Sequence, residues 1–161
     1  IEPRGGGLGG AEMVSSIHGE IVIDRPVAEV FDFVADERNE PAYNPAMVGV
    51  EKLTEGPIGA GTQFRATVTS RGRPMEMLLE TTVYERPARL ASTTSMAGAR
   101  ICGTLTFEPD AGGTRMCWDW DVAPQGVMRL LTPVVGWVGR RQEAAIWAGL
   151  KRHLESAPRE G

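Results

Sequence analysis

Trp118 and Trp120 stand two residues apart in a segment that alternates apolar and polar residues. On a strand that spacing puts both indoles on one face, where they can stack on a flat apolar molecule or pack as core. Thr81, Ser92 and Thr94 fall in neighbouring alternating segments. Their hydroxyls can bond a hydroxyl or carbonyl of the same molecule; backbone or trapped water is the plainer partner. Met75, Met77 and Met116 suit a cavity that adapts to its ligand, and are equally ordinary core filler. Phe64, Leu79, Gly103 and Leu105 complete the predicted lining, with Leu131 and Val135 closing it from the last helix. Acid–base or nucleophilic chemistry needs a titratable group in such a site, and the predicted strands put none on this face. It would have to come from the helical segments: Asp36, Glu40, Tyr43, Arg129, Gln142 with Glu143, or His153. The lining therefore predicts binding rather than catalysis.

The other reactive residue types read as structural. His18 falls on the outward phase of its strand, and His153, with Lys151 and Arg152, sits where positive charge favours a helix C-terminus. Cys102 and Cys117 lie diagonally on the outer phase of adjacent strands, without metal-ligand spacing, so neither a metal nor a cofactor is expected. Gly56, Gly59 and Gly61 lack the Lys-Ser/Thr ending of a phosphate loop, and no helix follows them. The run GVMRLLTPVVGWVGRR allows a membrane-touching lid around Trp137 and Arg140-Arg141; a helix packed on the core is the expected reading.

The elements that must position these residues follow from periodicity. Ser16 to Asp24 alternates as a half-buried strand, with Ile17, Ile21 and Ile23 on one face. Val27, Val30, Phe31 and Val34 recur at helical spacing, with Pro26 in the first turn and Asp24 or a neighbour as the cap. ERNEPAYNP reads as a short helix or turn, broken by Pro41 and Pro45. Six strands follow, at 48–53, 62–70, 75–85, 89–96, 101–108 and 114–122, with short links that make consecutive strands antiparallel neighbours. Residues 125–156 are helical in pattern, with a kink or break at Pro133 and Gly136. The first twelve residues, IEPRGGGLGGAE, pack into nothing, so 1–14 is expected as a tail, 15–156 as one domain and 157–161 as a second tail.

Loop lengths also predict registers. Phe64 is set opposite Thr81, Thr81 opposite Ser92, Leu79 opposite Thr94, Ser92 opposite Leu105, Leu105 opposite Met116 and Gly103 opposite Trp118. Val83 joins the inner face, and Arg65 pairs with Glu80 on the outer one.

The chain has 161 residues, 42% hydrophobic and 24% charged, with a net charge of −4, which bounds it to one ordinary globular domain. An acidic balance argues against nucleic acid. The absence of a signal-like start and the two cysteines point to the cytoplasm.

Val30-Phe31-Asp32-Phe33-Val34-Ala35-Asp36 and Asn39-Glu40-Pro41-Ala42-Tyr43-Asn44-Pro45, with Gly59-Ala60-Gly61-Thr62, Tyr84-Glu85-Arg86-Pro87, Phe107-Glu108-Pro109 and Gly112-Gly113-Thr114-Arg115, resemble a known family. The match is to the polyketide cyclase/dehydrase and lipid-transport branch of the START-like (SRPBCC, Bet v 1-like) superfamily. The resemblance covers about residues 15 to 156 and implies an α+β helix-grip fold. In it a seven-stranded curved antiparallel sheet wraps a long C-terminal helix, with two short helices after strand 1. It implies Tyr43 and Asn44 at the cavity mouth and a bacterial-type protein. The expected partner is a small hydrophobic or aromatic ligand, lipid or polyketide-like, held by a monomer or homodimer with at most transient membrane contact. A cyclase/dehydrase-type enzyme using the same cavity, or an interaction module with a packed interior, are the alternatives.

Overall fold

The computed structural model describes residues 15–126 and 132–159, with side chains for all of these except 132–138. The expected tail at 1–14, the last two residues, and 127–131 of the expected helix lie outside the described residues. In chain order the elements are β1 (Ser15–Ile23), α1 (Val27–Ala35), a 3₁₀ helix (Glu37–Ala42), β2 (Met47–Lys52), β3 (Gln63–Ser70), β4 (Arg73–Glu85), β5 (Arg89–Met96), β6 (Ala99–Asp110), β7 (Gly113–Pro124) and α2 (Thr132–Ser156). The strands form one antiparallel sheet in the order β1-β7-β6-β5-β4-β3-β2. The two helices after β1 carry the chain from one sheet edge to the other. The sheet curves around α2, the α+β architecture expected above.

The core forms where the apolar faces meet. In α1 the buried stripe is Val30, Phe31, Val34 and Ala35. Phe31 meets Tyr84 and Phe107 edge-to-face, at centroid distances of 5.2 and 5.1 Å, the geometry in which aromatic quadrupoles attract. Trp147, Leu150 and Leu154 of α2 are buried against Tyr43, Trp118 and their neighbours. Gly149 permits a close approach, since a Cβ there would lie 2.5 Å from the Tyr43 carbonyl oxygen. Arg25, only 4% exposed, ties the C-terminal end of α2 to β1 by donating to the Glu155 and Ala157 carbonyls.

Several expectations are corrected. The expected Asp24 cap does not form: Pro26 is the N-cap of α1 and makes no side-chain bond. Asp24 instead donates its backbone N–H to Glu155 and pairs with Arg159. α2 runs unbroken from Thr132 to Ser156 with Pro133 in its first turn, where no backbone donor is needed, so within the described residues the helix is not split at Pro133 or Gly136. His153 stacks on Phe33, with centroids 5.3 Å apart, instead of serving only the helix end.

Hairpin registers shift by two residues at three links, because the connections are two-residue turns. Ser70 pairs with Arg73, Met96 with Ala99 and Asp110 with Gly113. Arg71-Gly72 and Ala111-Gly112 take positive φ at both positions, as a type I′ hairpin requires. Phe64 therefore faces Leu79, Ser92 faces Gly103, Leu105 faces Trp118 and Gly103 faces Trp120. The expected pairs Thr81–Ser92 and Leu79–Thr94 form. A bulge between Thr81 and Val83 then turns Tyr84, not Val83, to the partner Leu90 and the core. Arg65 is opposite Leu78 and pairs with Glu51 and Glu76, while Gln63 takes Glu80. Among the described residues no helix is long and apolar enough to cross a membrane.

Candidate functional site

One cross-strand row runs over five strands on the concave side: Thr81, Ser92, Gly103, Trp120 and Ile17, each directly opposite the next. Gly103 is where it must be small. A Cβ there would stand 1.6 Å from Trp120 Cε3, so the Trp120 indole lies across the glycine, and the ring is only partly buried. Trp118 lies in the same way over Gly19, whose Cβ would meet Cζ2 at 2.3 Å. Two glycines in two different strands thus act as floors for two indoles.

The hydroxyls beside this row are uncommitted. Thr81 and Thr94 are 5% and 9% exposed and Ser92 is half-buried. Among the described residues none of the three side chains has a hydrogen-bond partner, whereas the buried Thr62, just before β3, and Thr114 on β7 are bonded to backbone. Nor are these oxygens sealed off. Among the described residues, the fully enclosed side-chain polar atoms without a hydrogen bond are Arg25 Nε, which faces the Glu29 carboxylate at 3.4 Å, and Trp147 Nε1.

Opposite the row, α2 and the 3₁₀ helix bring carboxyl groups to the same face. Three residues per turn stack Glu37, Glu40 and Tyr43 on one side of the 3₁₀ helix and its cap. Trp120 Nε1 donates to Glu143 Oε2 across 3.1 Å. The Trp147 N–H, one turn along α2, lies near the same carboxylate and favours its anion without forming a hydrogen bond. Burial, then repulsion from Glu40, outweighs both indoles and raises the Glu143 pKa to about 7. Burial first, then Glu40, raises Glu37 well above its ordinary value, and burial raises Glu40 despite a 2.8 Å bond from Asn44 Nδ2. Desolvation, followed by Glu40, Glu37 and Glu143, pushes the Tyr43 hydroxyl well up, so it stays neutral. Asp36 points away into a pair with Arg38, whose hydrogen bond lowers its pKa.

The expected lining is largely assembled on one side. Phe64, Leu79, Thr81, Leu105 and Trp118 are buried there, with Met77, Ser92, Gly103 and Trp120 half-open. Tyr43 and Asn44 are both buried. The Asn44 side chain is occupied in holding Glu40 and the Ala46 N–H, which braces the turn. Leu131 and the side chain of Val135 lie outside the described residues. Glu37 and Trp147 were missed from sequence; the three-residue spacing of Glu37, Glu40 and Tyr43 was the available signal. Shallow grooves on the convex face, one lined by His18, Glu20, Thr104 and Asp119 and reaching Gly19 and Trp118, hold none of the hydroxyl or carboxyl groups of the site. Among the described residues no set of side chains is arranged to hold a metal.

This fold and concave face define a helix-grip protein. Residues 15–155 match the family described as polyketide cyclase / dehydrase and lipid transport, and the chain belongs to that family. No curated protein matches it in sequence. Among solved structures, the Zhui aromatase/cyclase from Streptomyces sp. R1128 is similar with a TM-score of 0.76 at 15% identity, covering 88% of this chain and 94% of that one. TTHA0849 from Thermus thermophilus gives 0.75 at 20% identity, covering 88% and 99%. A START superfamily protein from Mycobacterium smegmatis gives 0.67 at 16%, covering 87% and 94%. At these identities the likeness is one of fold.

Proposed function

We propose that the protein binds a small, flat hydrophobic ligand, lipid or polyketide-like, between the concave face and α2. The observation that carries this reading is the partly exposed Trp120 ring laid over Gly103, flanked by three hydroxyls that the fold does not use. An interior packed as plain core would be expected to bond or bury those groups completely. Binding would be driven by apolar burial, roughly 25 cal/mol per Å² before ordering costs. On this reading the protein works as a cytoplasmic carrier or sensor; its free Cys102 and Cys117 suit a reducing compartment.

A second reading, an enzyme of cyclase or dehydrase type, is favoured by one observation. Glu143 has a pKa near neutrality on the face the ligand would occupy, which suits a group that gives and takes a proton. Native mass spectrometry of freshly purified protein, followed by denaturation, tests the first reading. The expected result is a reproducible apolar small molecule released on unfolding and recovered unchanged after incubation. Its conversion to a product would favour the enzyme. A protein that is empty and takes up no added apolar compound would contradict both.

A further inference from the structure

Thr81 and Ser92 are directly opposite each other on β4 and β5, and Thr94 lies two residues further along the same face. Opposed side chains on one sheet face start about 5 Å apart at Cβ, close enough for two hydroxyls to converge on one atom. The backbone of Thr81 is already committed, its N–H to the Thr62 carbonyl and its carbonyl to the Gly61 N–H. Since these oxygens are not sealed off, water can bond them in the free protein, and a ligand oxygen can take its place.

We infer that Thr81 and Ser92, assisted by Thr94, form an oxygen-recognising subsite that takes the carbonyl group of a flat, otherwise apolar ligand lying on Trp120. The inference rests on the ligand-binding reading above and adds ligand class and orientation. A carbonyl oxygen has two lone pairs and no proton, which matches two converging hydroxyl donors. The other edge of the Trp120 indole, with its Nε1, faces Glu143. That carboxylate offers acceptors when ionised, and a carbonyl turned toward it would meet like partial charge. The oxygen end of the ligand is thus directed to β4 and β5, and the hydrocarbon lies across the indole above Gly103. One strand separates Ser92 from Trp120, a span of about 10 Å between their strands, the length of a two-ring molecule.

The test uses the full chain and two probes of one shape: a naphthyl methyl ketone and its isopropenyl analogue, in which CH2 replaces the carbonyl oxygen. Affinities are read by calorimetry for the unaltered protein and for Thr81→Val with Ser92→Ala, whose unfolding midpoint confirms that it folds. The ketone should bind about tenfold or more tightly than the hydrocarbon, as two donors left unbonded by the analogue require. The double variant should bring the ratio close to one and leave hydrocarbon affinity within about twofold, because only the donors are lost. Equal binding of both probes to the unaltered protein would overturn the subsite and leave the ligand-binding reading standing. A double variant that keeps the preference for the ketone would overturn it in the same way. If neither probe binds, the ligand-binding reading fails and the subsite with it.

Discussion

Gly103→Val is expected to lower stability by about 2–4 kcal/mol, read as a drop of roughly 5–12 °C in the unfolding midpoint. The Cβ alone would overlap the Trp120 ring, at 1.6 Å from Cε3 and 2.3 Å from Cζ3, so the indole has to leave its place. When it does, it gives up the 3.1 Å bond to Glu143 and strands a carboxyl that is already poorly solvated. Because the first added carbon makes the clash, Gly103→Ala should show most of the loss. If Ala is tolerated without cost, the indole has slack and the floor described for it is wrong. Loss of apolar-probe binding in a variant that still folds would mark the same ring as part of the ligand surface.

Glu143→Gln should raise stability above neutrality by on the order of 2 kcal/mol and remove a pH slope between about 4.5 and 7. The folded-state pKa is raised from the ordinary 4.5 to about 7, so over that window the native state holds a proton the unfolded chain has released. Stability linked to this group is thus complete below about 4.5, declines as pH rises toward 7, and is flat above. Gln keeps an acceptor for the Trp120 N–H and carries no charge at any pH. Asp32, Asp36 and Glu155 act with the opposite sign. Hydrogen bonds from Arg86, Arg38 and Lys151 hold their folded pKa values down, so what they contribute is lost as pH falls into the acid range. Urea unfolding at several pH values separates the two, since the difference between parent and variant isolates Glu143. A variant whose profile is parallel to the parent's would show that Glu143 titrates normally.

The outline of the fold was legible because strand alternation survives errors of two. Links read as four or five residues, such as RGRP and PDAGG, are two-residue turns whose Arg71-Gly72 and Ala111-Gly112 pairs accept positive φ. Shortening a link by two residues, both given to one strand, slides the pairing by two and keeps every side chain on its face. Trp118, Trp120, Thr81 and Ser92 therefore came out on the concave side although Trp120, not Trp118, covers Gly103. Thr82 broke the rule, because a bulge is odd by one, and it brought Tyr84 inward in place of Val83. The carboxyl group of the site was harder to read. Glu143 was among the titratable candidates, but which face of a 25-residue helix meets the sheet depends on contacts distant in sequence, such as Gly149 against Tyr43. Glu37 was overlooked because its alignment with Glu40 and Tyr43 needs the tighter 3₁₀ period instead of the α-helical one.

The most direct measurement is nitrogen-15 NMR of the indole N–H groups while the naphthyl ketone is titrated into the full chain. The sequence has four tryptophans, so each indole is separately visible. The Trp120 signal should move most, with the amides of Ser92 and Gly103 following it, because the ligand lies on that ring and its oxygen lies beside those strands. An unmoved Trp120, with shifts confined to convex-face positions such as Thr104 and Asp119, would contradict the assignment of the concave face as the binding surface.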